Sequence, residues 1–358
     1  MKQRFRQYGL SVGLLPTGPK NTIADVAGLR LGHCTKIAGD DIRTGVTVID
    51  PGLPNLFDLK LPAAVAVGNG YGKVTGVTQI QELGVIEAPI ALTNTMAVGP
   101  VMRALADQVV TNTPSLQKTQ EPILNGPNVF VGEVNDSRLN NFYQDGVGQD
   151  EVKRALASLS PDFELGSVGA GTGGRAFSWK GGLGSASRMI QLGKKTYTVG
   201  TLAQTNFGGS LTILGVPVGK LLGKTDFDTL LSPAGDGSGN IIIATDAPLS
   251  SRQLERLARR AFLGLARTGS VLNHSSGDYS LAFSTNRAGL EGSGNPGYCL
   301  PDADLSIFFL AVVESVEESV YDALFLAETM TGRNGFTLPS LPADEAVSLL
   351  RKRMEPRE

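Results

Sequence analysis

The residues best placed to do chemistry are Gly237 and Ser238, in the stretch Ala234 to Leu249 (A-G-D-G-S-G-N-I-I-I-A-T-D-A-P-L). A glycine-rich approach, Gly235, Asp236 and Gly237, meets a single serine and turns within three residues into an apolar run, Ile241 to Ile243. That puts a hydroxyl at the junction of loose and stiff backbone. Gly237 has no Cβ, so the peptide bond before Ser238 can reach unusual dihedrals and its carbonyl can be approached from the side. Attack by the following hydroxyl, then hydrolysis of the resulting ester, cuts the chain at Gly237/Ser238. Ser238 is then left with both a nucleophile and a free α-amine able to act as its base. The competing reading of this stretch alone is a turn serine before a buried strand.

The elements around it alternate between strand and helix patterns. Strands are expected at Asn21 to His33 (after a turn), Arg43 to Asp50, Ala63 to Val67, Asn128 to Gly132, Thr196 to Ala203, Ser210 to Val216, Tyr279 to Ser284 and Leu305 to Val313. Helices are expected at Val77 to Leu83 with Gly84 as stop, Met96 to Val110, Asp150 to Ser158, Val316 to Met330 and Asp344 to Arg351. The clearest helix is Ser250 to Arg267, where Leu254, Leu257, Ala258, Ala261, Phe262 and Leu265 recur at helical spacing. Pro114 to Pro127 is the best loop candidate of the first half. Strands interleaved with helices predict an α/β sandwich. The string G-S-G-N recurs at Gly292 to Asn295, but no apolar strand follows Ser293, so no catalysis is expected there.

Composition removes several function classes. The chain has 358 residues, 45 of them glycine, with 18% charged residues and a net charge of −2. Without a sustained basic run, nucleic acid is not expected as a partner. Thr196 to Gly219 is uncharged but holds Gln204, Asn206 and five threonines, which suits buried strands and not a membrane helix. Cys34 and Cys299 form no C-x-x-C, which fits a reducing, cytoplasmic setting. With only His33 and His274, imidazole is scarce and a zinc site lacks ligands; no metal and no cofactor are expected. Val168 to Gly174 satisfies G-x-G-x-x-G, yet no clear strand precedes it, no helix follows, and Lys194 stands where a ribose-binding acid belongs.

Seven strings occur in order: N-T-I-A-D-V-A-G (21–28), T-G-V-T-V-I (44–49), E-L-G-V-I-E-A-P-I-A-L-T-N-T (82–95), V-G-A-G-T-G-G (168–174), W-K-G-G-L-G-S-A-S-R (179–188), Q-T-N-F-G (204–208) and I-A-T-D-A-P-L (243–249). Together the chain resembles the L-aminopeptidase/D-esterase and β-aminopeptidase family, the self-cleaving DmpA-type serine peptidases, from about residue 10 to residue 340. The resemblance implies a single four-layer αββα domain spanning 1–358, cut into 1–237 and 238–358, with Ser238 as the nucleophile. It implies that Ser276 and Asp278, within H-S-S-G-D (274–278), support the new amine; the acid is Asp here where some members have Glu. It implies Asn206 as the oxyanion donor and Glu133 as the contact for the substrate's free amine. At the position two residues after that glutamate, where some members carry tyrosine, this chain has Asn135. It further implies small peptide, amide or ester substrates and a homo-oligomer, a tetramer of cut protomers.

The inventory is consistent with that chemistry. An α-amine has an unperturbed pKa of about 7.7 to 8.0, close to operating pH, so no histidine is needed. His274 invites a Ser-His-Asp triad, but no G-x-S-x-G frames Ser238. Two other readings compete. One is a related acyltransferase of the ornithine acetyltransferase type or an ω-amino-oligomer amide hydrolase, which typically use threonine where Ser238 stands. The other is a non-catalytic small-molecule or nucleotide-binding protein built around Gly169 to Gly174.

Overall fold

The computed structural model describes residues 2–117, 126–144, 146–226, 237–290 and 298–354. Among the described residues ten strands build the two central sheets and two more, β7 and β8, a hairpin: β1 Arg30–Ala38, β2 Ile42–Asp50, β3 Leu61–Gly70, β4 Val85–Ile86, β5 Ile90–Asn94, β6 Val131–Val134, β7 Arg175–Ala176, β8 Trp179–Lys180, β9 Leu183–Leu192, β10 Lys195–Asn206, β11 Ser238–Thr245 and β12 Gly277–Ser284. One sheet has the order β1-β2-β5-β6 and the other β4-β3-β12-β11-β10-β9, while β7 and β8 form a separate hairpin. β11 is therefore interior to its sheet. It runs antiparallel to β10 on one side and parallel to β12 on the other.

Strand alternation sorts the side chains into layers. Ile242 and Ala244 of β11, Leu202 of β10 and Leu281 and Phe283 of β12 pack against Ile49, Ile90 and Leu92 of the facing sheet. The neighbouring positions, Ile241, Ile243, Ala203 and Ala282, face the helices Ser251–Arg267 and Leu305–Phe325. On the far side, Val46, Val48, Ala91 and Val131 pack against the helices Val98–Asn112 and Gln149–Ala157. The result is the expected four-layer αββα sandwich. Ile242 is fully buried, and its truncation to alanine would cost roughly 2–5 kcal/mol.

Several sequence expectations shift. The helix expected from Ser250 begins at Ser251, with Ser250 as its cap: Gln253 Oε1 accepts from the Ser250 amide at 3.0 Å. Leu305 to Val313 is not a strand. One helix runs Leu305–Phe325, and the helix expected to reach Met330 stops five residues earlier. The reason is burial: most of this helix is enclosed, so Leu305 to Val313 lacks a polar face, and its aromatic and β-branched residues mimic a core strand. Ser210 to Val216 is not a strand either, since Leu214 and Gly215 both take positive φ in a turn closed by an Ile213–Val216 bridge. Residues 114–117 form a short helix within the expected loop. Gly235, Asp236 and the Gly292 to Asn295 repeat lie outside the described residues.

The G-x-G-x-x-G run is filled by protein. A Cβ at Gly171 would stand 2.6 Å from the Leu183 amide nitrogen, and one at Gly174 2.6 Å from the Thr205 carbonyl oxygen. Buried Lys180 donates to the carbonyls of Gly171 (3.1 Å) and Gly181 (2.6 Å). These glycines let backbone approach backbone, which leaves no phosphate cradle.

Candidate active site

Ser238 is the first residue of β11 and is 4% exposed. Its Cα partners are Asn206, the last residue of β10, and Gly277, the first of β12. Alternation puts its side chain on the inter-sheet face with Asn240 and Asn206. The Ser238 hydroxyl donates to the Gly237 carbonyl at 2.7 Å, and the Gly277 amide donates to the same oxygen at 3.1 Å. The carbonyl at the expected cleavage point is thus polarised by two donors.

The opposite face of the strand carries Ser276 and Asp278. A Cβ at Gly237 would meet Ser276 Oγ at 2.9 Å, and one at Gly239 would meet Asp278 Oδ1 at 3.1 Å. The two glycines flanking Ser238 therefore leave space for these side chains to lie against its backbone. Asp278 is fully buried, and neither of its carboxylate oxygens has a hydrogen-bond partner; Ser276 Oγ is also unpartnered. Burial pushes the Asp278 carboxyl up to about 6, and the nearby Ser276 hydroxyl acts weakly in the opposite sense. A buried acid with unfilled acceptors is costly unless a cation arrives.

Asn206 is held by its amide at both ends. Its Oδ1 accepts from the Arg175 amide at 3.0 Å, and its Nδ2 donates to the Asn135 carbonyl at 3.0 Å. The second Nδ2 hydrogen is left for an oxygen near Ser238. The Asn135 side chain instead turns back to accept from the Ser137 amide at 3.1 Å. Glu133, 2% exposed on β6, accepts from the Lys73 amide at 2.8 Å and from the Thr95 hydroxyl. Asn240 Nδ2 ties the two sheets here by donating to the Glu133 carbonyl and to Gln204 Oε1, both at 2.9 Å.

The fold thus brings Ser238, Asn206, Ser276, Asp278, Glu133 and Asn135 to one end of β11. His274 packs its ring near Tyr71, with centroids 6.4 Å apart, and does not hydrogen-bond Asp278, so no triad forms. His33 is half-buried on β1, where desolvation pushes its imidazole down to about 4 and it bonds Thr47 of the neighbouring β2. Sequence reasoning missed Arg175, Thr95 and Tyr279, whose phenol donates to the Gly72 carbonyl at 3.1 Å. It also missed the cross-sheet amides of Gln204 and Asn240. The available signal was amide side chains within otherwise apolar buried strands, which must find partners. Among the described residues no group of three or more His, Cys, Asp or Glu is arranged to hold a metal ion, and no helix is long and apolar enough to cross a membrane.

A model of peptidase family S58 matches residues 21–338. A beta-peptidyl aminopeptidase, BapA, from Sphingosinicella xenopeptidilytica is 38% identical over 99% of this chain and 92% of its own. The PH0078 protein from Pyrococcus horikoshii OT3 superposes with a TM-score of 0.88 at 40% identity, covering 98% of this chain and 99% of that one. The L-aminopeptidase D-Ala-esterase/amidase from Ochrobactrum anthropi, a prototype for the serine aminopeptidases with a variant Ntn hydrolase fold, gives 0.88 at 33% identity over 98% and 99% of the two chains.

Proposed function

The chain belongs to peptidase family S58 and is a serine-type aminopeptidase, and on that premise we propose that it matures by cutting itself at Gly237/Ser238 and works through the amino-terminal Ser238 of the 238–358 fragment. In the maturing step Ser238 Oγ attacks the Gly237 carbonyl carbon, and the amide nitrogen leaves as the serine's own amine. Water then hydrolyses the ester, freeing a Gly237 carboxylate. The Gly277 amide, 3.1 Å from the carbonyl oxygen, supports the developing charge.

In turnover the Ser238 α-amine takes the proton from Oγ as the hydroxyl attacks the substrate carbonyl. Asn206 Nδ2 donates to the oxyanion, and the proton passes on to the leaving amine. Water then releases the acyl group. Asp278, with Ser276, offsets the charge of the Ser238 ammonium, and Glu133 receives the ammonium of the substrate. The observation that carries this reading is the buried, unpartnered Asp278 carboxylate lying against the backbone of residues 237–239, on the face of β11 opposite the Ser238 hydroxyl.

The substrates on this reading are short peptides, amides and esters with a free amine, β-amino acyl groups included. The protein acts in the cytoplasm as a homotetramer of cut protomers. Denaturing mass spectrometry tests the core of the proposal. Two fragments meeting at Gly237/Ser238, with Ser238→Ala whole and inactive, support it; an active wild-type chain that stays uncut refutes it.

A further inference from the structure

The segment that carries Glu133 continues past the nucleophile into a patch of positive charge. Glu133 lies beside Asn240, Asn135 lies beside Asn206, the partner of Ser238, and three residues later comes Arg138. Arg138 and Arg333 line one cleft of about 550 Å³ with Ser137, Asn334, Gly335 and Phe336. Arg138 is exposed and Arg333 half-buried, and neither side chain has an ion pair or hydrogen bond among the described residues. The Arg333 amide donates to the Leu139 carbonyl at 2.9 Å, which fastens the two arginine-bearing loops together.

The surroundings strengthen the sign of this field. Arg43, near the start of β2, reaches toward the second loop, its side chain donating only to backbone carbonyls, those of Thr331 at 2.8 Å and Gly39 at 3.0 Å among them. Arg175, whose amide holds Asn206, pairs with Asp226 through Nη2, while its Nη1 is buried without a partner. Burial lowers the Arg175 guanidinium, Asp226 opposes that, and the nearby Arg138 charge lowers it further, which puts the two arginines within range of each other. Asp136, close by in the chain, is buried and pushed up to about 7, chiefly by that burial, so it is only about half ionised at neutral pH.

We propose that Arg138 and Arg333, backed by Arg175, form a subsite for the C-terminal carboxylate of the substrate, so that short zwitterionic peptides are preferred over the corresponding amides and esters. The proposal rests on the assignments of Glu133 and Ser238 above. The segment from Glu133 to Arg138 would then hold the ammonium at one end and the far carboxylate at the other, with Ser238 of β11 reached between them through Asn135 and Asn206. Solvated carboxylate–arginine pairs are individually weak and salt-sensitive, and two acting together give a preference of about fivefold to tenfold.

The test compares kcat/KM for a dipeptide and for the same dipeptide as its C-terminal amide, in the wild type and in Arg138→Gln, Arg333→Gln and the double variant. The expected result is a wild-type preference for the free acid of about fivefold to tenfold at low salt, reduced at about 0.5 M salt and brought to near unity in the double variant. Circular dichroism of the variants checks folding, and because the readout is a ratio, a loss common to both substrates does not mimic the effect. Equal rates on both substrates in the wild type, or an unchanged ratio in the double variant, overturn the subsite and leave the Ser238 assignment standing. If the wild type hydrolyses neither substrate, both assignments fall.

Discussion

Asp278 offers the sharpest test, because its two states differ in a computable way. In the uncut chain, held whole by Ser238→Ala, the carboxyl is fully buried without a partner and raised from 3.8 to about 6. An acid whose pKa is raised on folding binds more protons folded than unfolded. Its contribution to stability therefore falls as pH rises through the window from 3.8 to about 6, and stays low above it. At ~1.4 kcal/mol per pH unit, the ionised group costs the uncut chain about 3 kcal/mol at pH 7. Adding Asp278→Asn to Ser238→Ala removes that ionisation, and neutral Asn resembles the protonated acid in size and in unfilled bonds. The stability difference between double and single variant should then shift by about 3 kcal/mol in favour of Asn between roughly pH 4 and pH 7, or about 4 °C in Tm for a chain of this length. Urea melts and thermal melts across that range read it directly. On the proposed reading the cut wild-type chain should show the opposite sign, its Ser238 ammonium pairing with the carboxylate, so that Asp278→Asn should both destabilise the protein and slow turnover. A pH-independent difference in the uncut background, or a stabilisation that survives cutting, refutes the argument.

Other expectations follow from the same geometry. Asn206→Ala should lower kcat about 10²- to 10³-fold with a smaller change in KM, as measured by steady-state kinetics on an aminoacyl amide. Glu133→Gln keeps the shape that the Lys73 amide and Thr95 hydroxyl bind but removes the charge, so KM should rise and self-cutting should persist on a denaturing gel. Gly239→Ala places a methyl 3.1 Å from Asp278 Oδ1 and 3.2 Å from Phe207 Cδ1, and it should slow both self-cutting and turnover while the far-ultraviolet spectrum is kept. Arg188→Met takes from Glu314 and Glu318 the fully buried guanidinium that bonds them at 3.0 and 2.7 Å, leaves Glu314 with only the Leu14 and Leu15 amides and Glu318 with Arg6 and Asn21, and should cost about 3 kcal/mol in urea.

Local signals made part of this architecture legible. The Ser251–Arg267 helix announces itself through its apolar stripe and its Ser250 cap, and Val77–Leu83 through the Gly84 stop. Where burial is complete, the periodic signal disappears. The Leu305–Phe325 helix buries Glu314, Glu317, Glu318 and Asp322 together with its apolar residues, because Arg4, Arg6, Arg188 and Arg267 reach them from elsewhere in the chain. No window of sequence contains those partners. β10 likewise continues through Gln204, Thr205 and Asn206, which look like a loop until the carbonyls of Thr93, Ala170, Gly182 and Asn135 are seen to receive their side chains.

The candidate site residues could be named as a set through resemblance to a family, and they lie together at one end of β11, but the face of the strand that each one takes was not legible. A strand sends successive side chains to opposite faces, so a nucleophile whose base is its own backbone nitrogen needs help on both. The hydroxyl of Ser238 turns to the inter-sheet face, where Asn206 waits, while Ser276 and Asp278 occupy the helix-facing side. They reach the backbone there because residues 237 and 239 have no Cβ to block them. The string G-S-G is thus read twice by the fold. Its first glycine carries the carbonyl that the Ser238 hydroxyl bonds, and both glycines open the reverse face to Ser276 and Asp278, where on the proposed reading a freed amine would find its acid.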